Sequence, residues 1–167
     1  MTDRPFEIGL LGKEDRSDFC CGSEPLDRYF KTQSSQDMRR RVSVCYVALE
    51  KATRQIAGYY TLSAADVPVS DIPPEVKNRL PRYPSVPAAR IGRLAIDRRL
   101  QGRGLGAALL LNAALRALRS EIAVFALVVD AKDDEAVAFY RHLGFSAFAS
   151  NPLRFIAPIE TFRKLLD

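Results

Sequence analysis

Histidine is nearly missing from this sequence: His142 is the only one among 167 residues. Cysteine is almost as scarce, with three, at Cys20, Cys21 and Cys45. An odd number with two adjacent suits no disulfide framework, and one histidine is too few to complete a zinc set with them. Reduced, partly buried thiols in a cytosolic protein are the expectation. Long apolar runs are lacking too, and none approaches the ~20 residues of a membrane span. The start, Met1-Thr-Asp-Arg-Pro5, has no basic-then-apolar signal pattern. These absences point to the cytoplasm, with no membrane association and no metal. Internal repeats, linkers and low-complexity stretches are also absent, so 1–167 reads as one domain, long enough to bury a core.

Arginine is what the chain has in plenty: 19 of its 25 basic residues, with a net charge of +5. Arginine suits bidentate phosphate contacts, so nucleic acid or another phosphorylated partner is one implication. GC-rich coding gives the same bias without function, and composition leaves both open.

The chain is organised around Leu94–Leu111, where an apolar strand-like run enters Gln101-Gly-Arg-Gly-Leu-Gly106 and continues into Ala107-Ala-Leu-Leu-Leu111. Glycines at 102, 104 and 106 permit positive φ and close backbone approach. The following run has high helix propensity. A strand, a glycine turn and a helix start together make an anion site, because the first-turn N–H groups lack helical partners and the macrodipole is positive there. Arg98, Arg99 and Arg103 add charge at the rim. No Lys-Ser or Lys-Thr follows, which excludes a P-loop, and Gly-x-Gly-x-Gly past mid-chain is not a Rossmann fingerprint. Gln-x-x-Gly-x-Gly/Ala, the acyl-CoA pyrophosphate loop, matches Gln101, Gly104 and Gly106. Taken by itself, the hexapeptide leaves a phosphate site and a bare turn both open.

Phe6–Leu10 reads as a strand and Asp18–Ser23 as a polar turn. Ser23 can cap a helix that carries Glu24 and Pro25 in its first turn and Leu26, Tyr29 and Phe30 on one face. Asp37–Arg41 falls at or near the helix end; in isolation it reads as a solvated face. Val42–Glu50 and Ile56–Val67 are β-rich, with a hairpin-length link at Lys51–Gln55. Six of the ten prolines lie in Val67–Pro87, where a short helix at Glu75–Leu80 is expected between extended stretches. Arg79, Arg82 and Tyr83 there either rim a substrate groove or belong to a structured loop. Ala88–Ile96 is the strand before the glycine loop and Leu105–Arg119 the helix after it. Val124–Val129 reads as a buried, parallel strand. A helix follows, charged and capped at Asp133–Glu135 and stopped by Gly144. Short strands at Phe145–Phe148 and Leu153–Pro158 and a closing helix at Ile159–Leu166 complete an α/β or α+β domain.

The second constellation is Asp133-x-x-Ala136-x-x-Phe139-Tyr140-x-x-x-Gly144-Phe145, placed after the buried strand that follows the glycine-loop helix. Together with Gln101–Gly106 it resembles the GNAT acetyltransferase superfamily, whose loop is followed by an Asn-x-x-Ala-x-x-Phe-Tyr helix ending in Gly-Phe. Asp133 departs from the usual Asn. The resemblance implies a mixed central sheet with splayed parallel strands, flanked by helices, and acetyl-CoA between the splayed pair. It places Tyr140 as the general acid. The CoA contacts it implies are Leu94, Ala95, Ile96, Gln101, Gly102, Arg103, Gly104, Leu105, Gly106, Ala107 and Asp133.

Outside this core, Phe19-x-Cys21-Gly22-x-x-x-Leu26-Asp27-x-Tyr29, Gln36-Asp37-x-x-Arg40-Arg41, Gly58–Ala64, Val86–Ala88 and Ile91–Ala95 resemble the GNAT toxins of bacterial toxin–antitoxin pairs. That resemblance implies acetylation of the α-amino group of aminoacyl-tRNA, arrest of translation, a ribbon-helix-helix antitoxin as partner and a homodimer. Candidate tRNA contacts are Arg39, Arg40, Arg41, Arg79, Arg82, Arg90 and Arg93. Two other readings are a GNAT acting on a small-molecule amine or protein N-terminus, and a non-catalytic CoA-binding protein.

The chemistry bears on the acceptor. Tyr140, with an ordinary pKa near ~10, can protonate a thiolate of pKa near ~8.5; without the motif it would read as a core aromatic beside Phe139. No strong base is evident, and His142 reads as a surface imidazole. A lysine amine of pKa ~10.4 is neutral about once in a thousand at pH ~7.4, whereas an α-amine near ~7.7 is neutral about a third of the time. Water can then relay the proton, which favours an α-amine acceptor.

Overall fold

The computed structural model describes residues 5–78, 80 and 82–164. In chain order it has β1 (Phe6–Leu10), α1 (Glu24–Thr32), α2 (Ser34–Arg39), β2 (Val44–Glu50), β3 (Ile56–Pro68), α3 (Pro74–Lys77), β4 (Ser85–Ile96), α4 (Leu105–Leu118), β5 (Ala126–Asp130), α5 (Asp134–His142), β6 (Ser146–Ala147), β7 (Arg154–Pro158) and α6 (Glu160–Arg163). Short 3-10 turns occupy Val69–Asp71 and Arg98–Leu100. The strands follow the order β1-β2-β3-β4-β5-β7-β6. β4 and β5 pair in parallel, while β1–β2, β2–β3, β5–β7 and β6–β7 are antiparallel. This is the mixed α/β class that the alternation of strand and helix patterns predicts.

The chain divides into two compact units. The first comprises Met1–Ser63 and Gly92–Asn112. Its core gathers Phe19, Tyr29, Phe30, Cys45, Val47, Leu49, Ile56, Tyr59 and Ala95, with Leu26 and Met38 packed against them. The Phe30 and Tyr59 rings stack at 4.3 Å, and Phe19 meets them edge-on at 5.0 and 5.7 Å; such pairs add about 0.5–1.5 kcal/mol each beyond burial. Gly58 lets β4 and α4 close over β3. A Cβ there would stand 2.9 Å from the Ala95 carbonyl oxygen and from Ile96 Cδ1, and 3.1 Å from Leu109 Cδ1.

The N-terminal helical region differs from its sequence pattern in two ways. Ser23 occupies the N-cap position of α1, but its hydroxyl makes no cap bond; Asp27 reaches back instead and accepts the Cys21 amide at 2.9 Å. The helix also breaks at Gln33 (φ −120, ψ −29), so that Asp37–Arg41 ends a separate helix, α2. Arg16 holds the break: it donates to the Phe30 carbonyl at 2.8 Å and to Ser34 Oγ at 2.9 Å. Asp37 is no solvated charge, since it accepts the Tyr29 hydroxyl at 2.7 Å and the Gln33 amide at 3.1 Å.

The second unit comprises Ala64–Ile91 and Ala113–Asp167. Ala88–Ile91 of β4 register against Ala126–Val129 of β5, and β5 registers against β7 from Ala126↔Pro158 to Asp130↔Arg154. Val67, Ile72, Val76, Val86, Ala88, Ala126, Val128, Phe148 and Ile156 form the core. α3 is a single turn ending at Lys77 rather than the longer helix expected over Glu75–Leu80, because Pro81 disfavours helical backbone at Leu80. α6 spans Glu160–Arg163; Leu166, the expected end of that helix, lies outside the described residues.

Candidate active site

The first unit carries the glycine loop. β4 delivers Leu94 and Ile96 half-buried and Ala95 buried, the alternation of a strand with one face in the core. Asp97 follows, 3% exposed. Its carboxylate accepts the Arg99 amide and Nε, both at 3.0 Å, and the Cys20 amide at 3.2 Å, so the buried charge is paired and hydrogen-bonded. Gln101 uses both hydrogens of its amide nitrogen, donating to the Cys21 carbonyl at 2.8 Å and the Ile96 carbonyl at 2.9 Å. Gly102 and Gly104 both have φ +80, and a Cβ at either would meet nothing within 4 Å. Their glycine character therefore serves the left-handed turn rather than packing. Arg103 is exposed, and Leu105 turns into the core at 5% exposure. Gly106 and Ala107 stand half-buried in the first turn of α4, a helix of 14 residues. The Ala108 amide closes that turn on the Gly104 carbonyl at 3.2 Å. The amides of Leu105, Gly106 and Ala107 precede the helical ladder and suit an anion.

The second unit carries the tyrosine. Asp133 is the N-cap of α5, its Oδ1 accepting the Ala136 amide at 2.8 Å, and Gly144 ends the segment at φ +97. Tyr140 is 6% exposed. Its ring meets Phe139 at 5.3 Å and Phe145 at 5.7 Å edge-on, and Phe155 at 6.3 Å. Its hydroxyl forms no hydrogen bond among the described residues. Burial, helped by the charge of Asp130, pushes its pKa up to about 12. Burial of Asp130 opposes ionisation, but Arg154 at 2.8 Å and the bonded Arg90 outweigh it and hold the carboxyl below its usual range.

The basic candidates sort into three groups. Arg39, Arg40 and Arg41 are exposed at the end of α2, with Arg41 at φ 58, and Arg82 is exposed as well. Arg90 is bound to Asp130, and the Arg93 guanidinium lies 3.5 Å from the centre of the Tyr29 ring. Arg79 lies outside the described residues. Sequence reasoning read Asp18–Ser23 as a turn but missed Asp97 and the bonds by which Cys20 and Cys21 meet Asp97 and Gln101. An acidic residue between an apolar strand and an arginine pair, in capping position for Arg98–Leu100, was the available signal.

Among the described residues no group of three or more His, Cys, Asp or Glu side chains could hold a metal ion, and no helix is long and apolar enough to cross a membrane.

The model of the acetyltransferase (GNAT) family matches residues 13–145. A protein of Mycobacterium tuberculosis named tRNA-acetylating toxin is 32% identical over 155 residues, covering 92% of this chain and 91% of its own. A Sinorhizobium fredii protein named probable toxin TacT is 28% identical over 163 residues, covering 92% and 90%. Among solved structures, AtaT complexed with acetyl-methionyl-tRNAfMet superposes with a TM-score of 0.86 at 28% identity, covering 97% of this chain and 99% of its own. A tyrosine-to-phenylalanine mutant of KacT gives 0.87 at 25%, with coverage of 97% and 99%. AtaT has also been solved with the C-terminus of the antitoxin AtaR and acetyl-CoA, at a TM-score of 0.80, 27% identity, and 98% and 99% coverage.

Proposed function

The chain belongs to the GNAT acetyltransferase family, and from that membership we propose that it acetylates the α-amino group of aminoacyl-tRNA and so blocks translation. The observation that carries this is the likeness, over nine-tenths of both chains, to a tRNA-acetylating toxin.

The loop's chemistry fits acetyl-CoA. Two exposed glycines at φ +80 lead into the amide-bearing end of a long helix, a cradle for a diphosphate. When bound, acetyl-CoA supplies an activated thioester. We assign the amides of Gly102 to Ala107 to the diphosphate, with Arg103 adding charge, and the backbone of Leu94, Ala95 and Ile96 to the amides of the pantetheine arm. Asp133 caps α5 with one oxygen and offers the other as an acceptor. Tyr140 donates its proton to the departing sulfur. A pKa of about 12 keeps the phenol protonated, and so able to donate, at neutral pH. Against a thiolate of ordinary pKa near ~8.5 full transfer is uphill by ~3.5 units, so the proton is given as the C–S bond breaks and charge builds on the sulfur. No residue is assigned as base, because an α-amine is already substantially neutral near pH 7.

Arg39, Arg40 and Arg41 are the proposed phosphate contacts of the tRNA, with Arg82 a further candidate; their exposure supports this. The assembly proposed is a homodimer in the cytoplasm, neutralised by an antitoxin of the ribbon-helix-helix class. The solved complexes of AtaT with AtaR, and of that pair with DNA, support a DNA-binding antitoxin. The test is translation in vitro with acetyl-CoA, followed by mass analysis of the aminoacyl-tRNA pool. N-acetylated aminoacyl-tRNA is expected. Unmodified tRNA alongside an acetylated small amine would overturn the substrate.

A further inference from the structure

The Phe19–Gly22 segment has no role in the chemistry above, yet it is tied at one point to the glycine loop and at three to Asp97 and Arg98, which lead into it. Gln101 donates to the Cys21 carbonyl at 2.8 Å. The Arg98 amide donates to the Cys20 carbonyl at 2.8 Å. The Cys20 amide donates to Asp97 at 3.2 Å. The Arg98 guanidinium lies against Gly22, where a Cβ would come within 3.0 Å of its Nε. The segment is itself anchored from behind. Phe19 is buried at 3% between Phe30 and Tyr59, and the Cys21 amide is held by Asp27 at 2.9 Å.

We propose that the Cys20–Gly22 turn is a positioning element for the loop 101–106, setting its grip on the diphosphate of acetyl-CoA through Gln101 and Asp97. The proposal rests on the loop's assignment to acetyl-CoA. Gly102 and Gly104 have open space where their side chains would be, so no packing at those two positions fixes the loop. Left-handed glycine turns are entropically loose, and a site that must present several amides in one direction gains affinity from being held there beforehand. Gln101 performs that task. With both donor hydrogens committed to the carbonyls of Cys21 and Ile96, far apart in the chain, it clamps the loop to the strand end and to the turn rather than offering its N–H groups to a ligand. Gly22 sits at φ +97, where an L side chain is strained, and its missing side chain leaves room for Arg98.

Two variants test this without touching the ligand amides. Gln101→Met keeps the length of an exposed side chain and removes both donors. Gly22→Ala strains the turn and pushes on Arg98. CoA binding is measured by calorimetry, folding by thermal unfolding, and loop order by amide hydrogen exchange over 102–107. Each variant should bind CoA about tenfold more weakly, the scale of removing one or two hydrogen bonds. Exchange should be faster in the loop and unchanged in β2 and β3. Because Gly22→Ala also disturbs the turn whose Cys21 carbonyl Gln101 bonds, the two losses overlap and the double variant should lose less than the sum of the singles. CoA affinity within about twofold of wild type in Gln101→Met, or strictly additive losses, overturns the proposal. Should Gly22→Ala fail to fold, Gln101→Met decides alone. A wild-type chain that binds no CoA overturns the loop's assignment and this proposal with it. Wild-type binding that Gly104→Asp abolishes, but neither tie variant changes, overturns only the positioning role.

Discussion

Removing one oxygen from Tyr140 separates catalysis from architecture. In Tyr140→Phe the ring contacts with Phe139, Phe145 and Phe155 remain. No hydrogen bond among the described residues is broken, because the hydroxyl makes none. Stability at neutral pH should therefore stay within about 0.5 kcal/mol of wild type. If Tyr140 is the general acid, kcat should fall by ~10²–10⁴, or about 3–5 kcal/mol of barrier at 1.36 kcal/mol per tenfold. A second signature appears at high pH. A phenol raised from about 10 to about 12 holds its proton more tightly in the folded state. Its contribution to stability is thus fully present below pH ~10 and is lost as pH climbs to ~12, some 3 kcal/mol across the window. Tyr140→Phe should lack that share of the alkaline loss. The assays are single-turnover acetylation of charged tRNA, calorimetry with acetyl-CoA, and urea unfolding at pH 7 and pH 11. Wild-type turnover in a folded variant that binds acetyl-CoA normally would refute the acid role and leave Tyr140 a core aromatic.

Further outcomes follow from other parts of the molecule. Replacing Arg39, Arg40 and Arg41 with alanine should lower the slope of log K against log salt for tRNA binding by ~0.7–0.9 for each phosphate no longer neutralised and leave acetyl-CoA affinity alone; a steep slope unchanged in the variant would move the tRNA-binding surface to other arginines. Gly58→Ala should destabilise by about 1–3 kcal/mol in urea unfolding, since the new methyl would overlap the Ala95 carbonyl; a neutral result would mean that β4 and α4 yield easily. In the native protein only Cys20 should react rapidly with Ellman's reagent, because Cys21 and Cys45 are buried and burial pushes the Cys45 thiol up to about 12. Three fast thiols would contradict the packing of the first unit's core.

What could be read ahead of the structure was what is coded locally. Asp133 as the cap of α5, Gly144 as its stop and the left-handed turn at Gly102 and Gly104 each follow from a few consecutive residues and lie where the pattern put them. Gly106, by contrast, sits in the first turn of α4, and the strand expected over Val124–Val129 runs over Ala126–Asp130. The break between α1 and α2 was not legible, because neither glycine nor proline marks Gln33. Its cause is Arg16, bonded across 14 and 18 positions to Phe30 and Ser34. The same holds at the site. The loop announces itself in six letters, but the Cys20 amide that helps hold it meets Asp97 across 77 positions, and Gln101 reaches Cys21 across 80. Arg90 and Arg93 show the converse. By composition they belong with the phosphate-binding arginines, but in the fold one is bonded to Asp130 and the other lies over Tyr29. An arginine already engaged in this way must give up that partner before it can bind a phosphate, whereas Arg39, Arg40 and Arg41 are exposed at the end of α2. The physical case for tRNA therefore rests on that exposed turn, and the salt slope of its triple variant measures it directly.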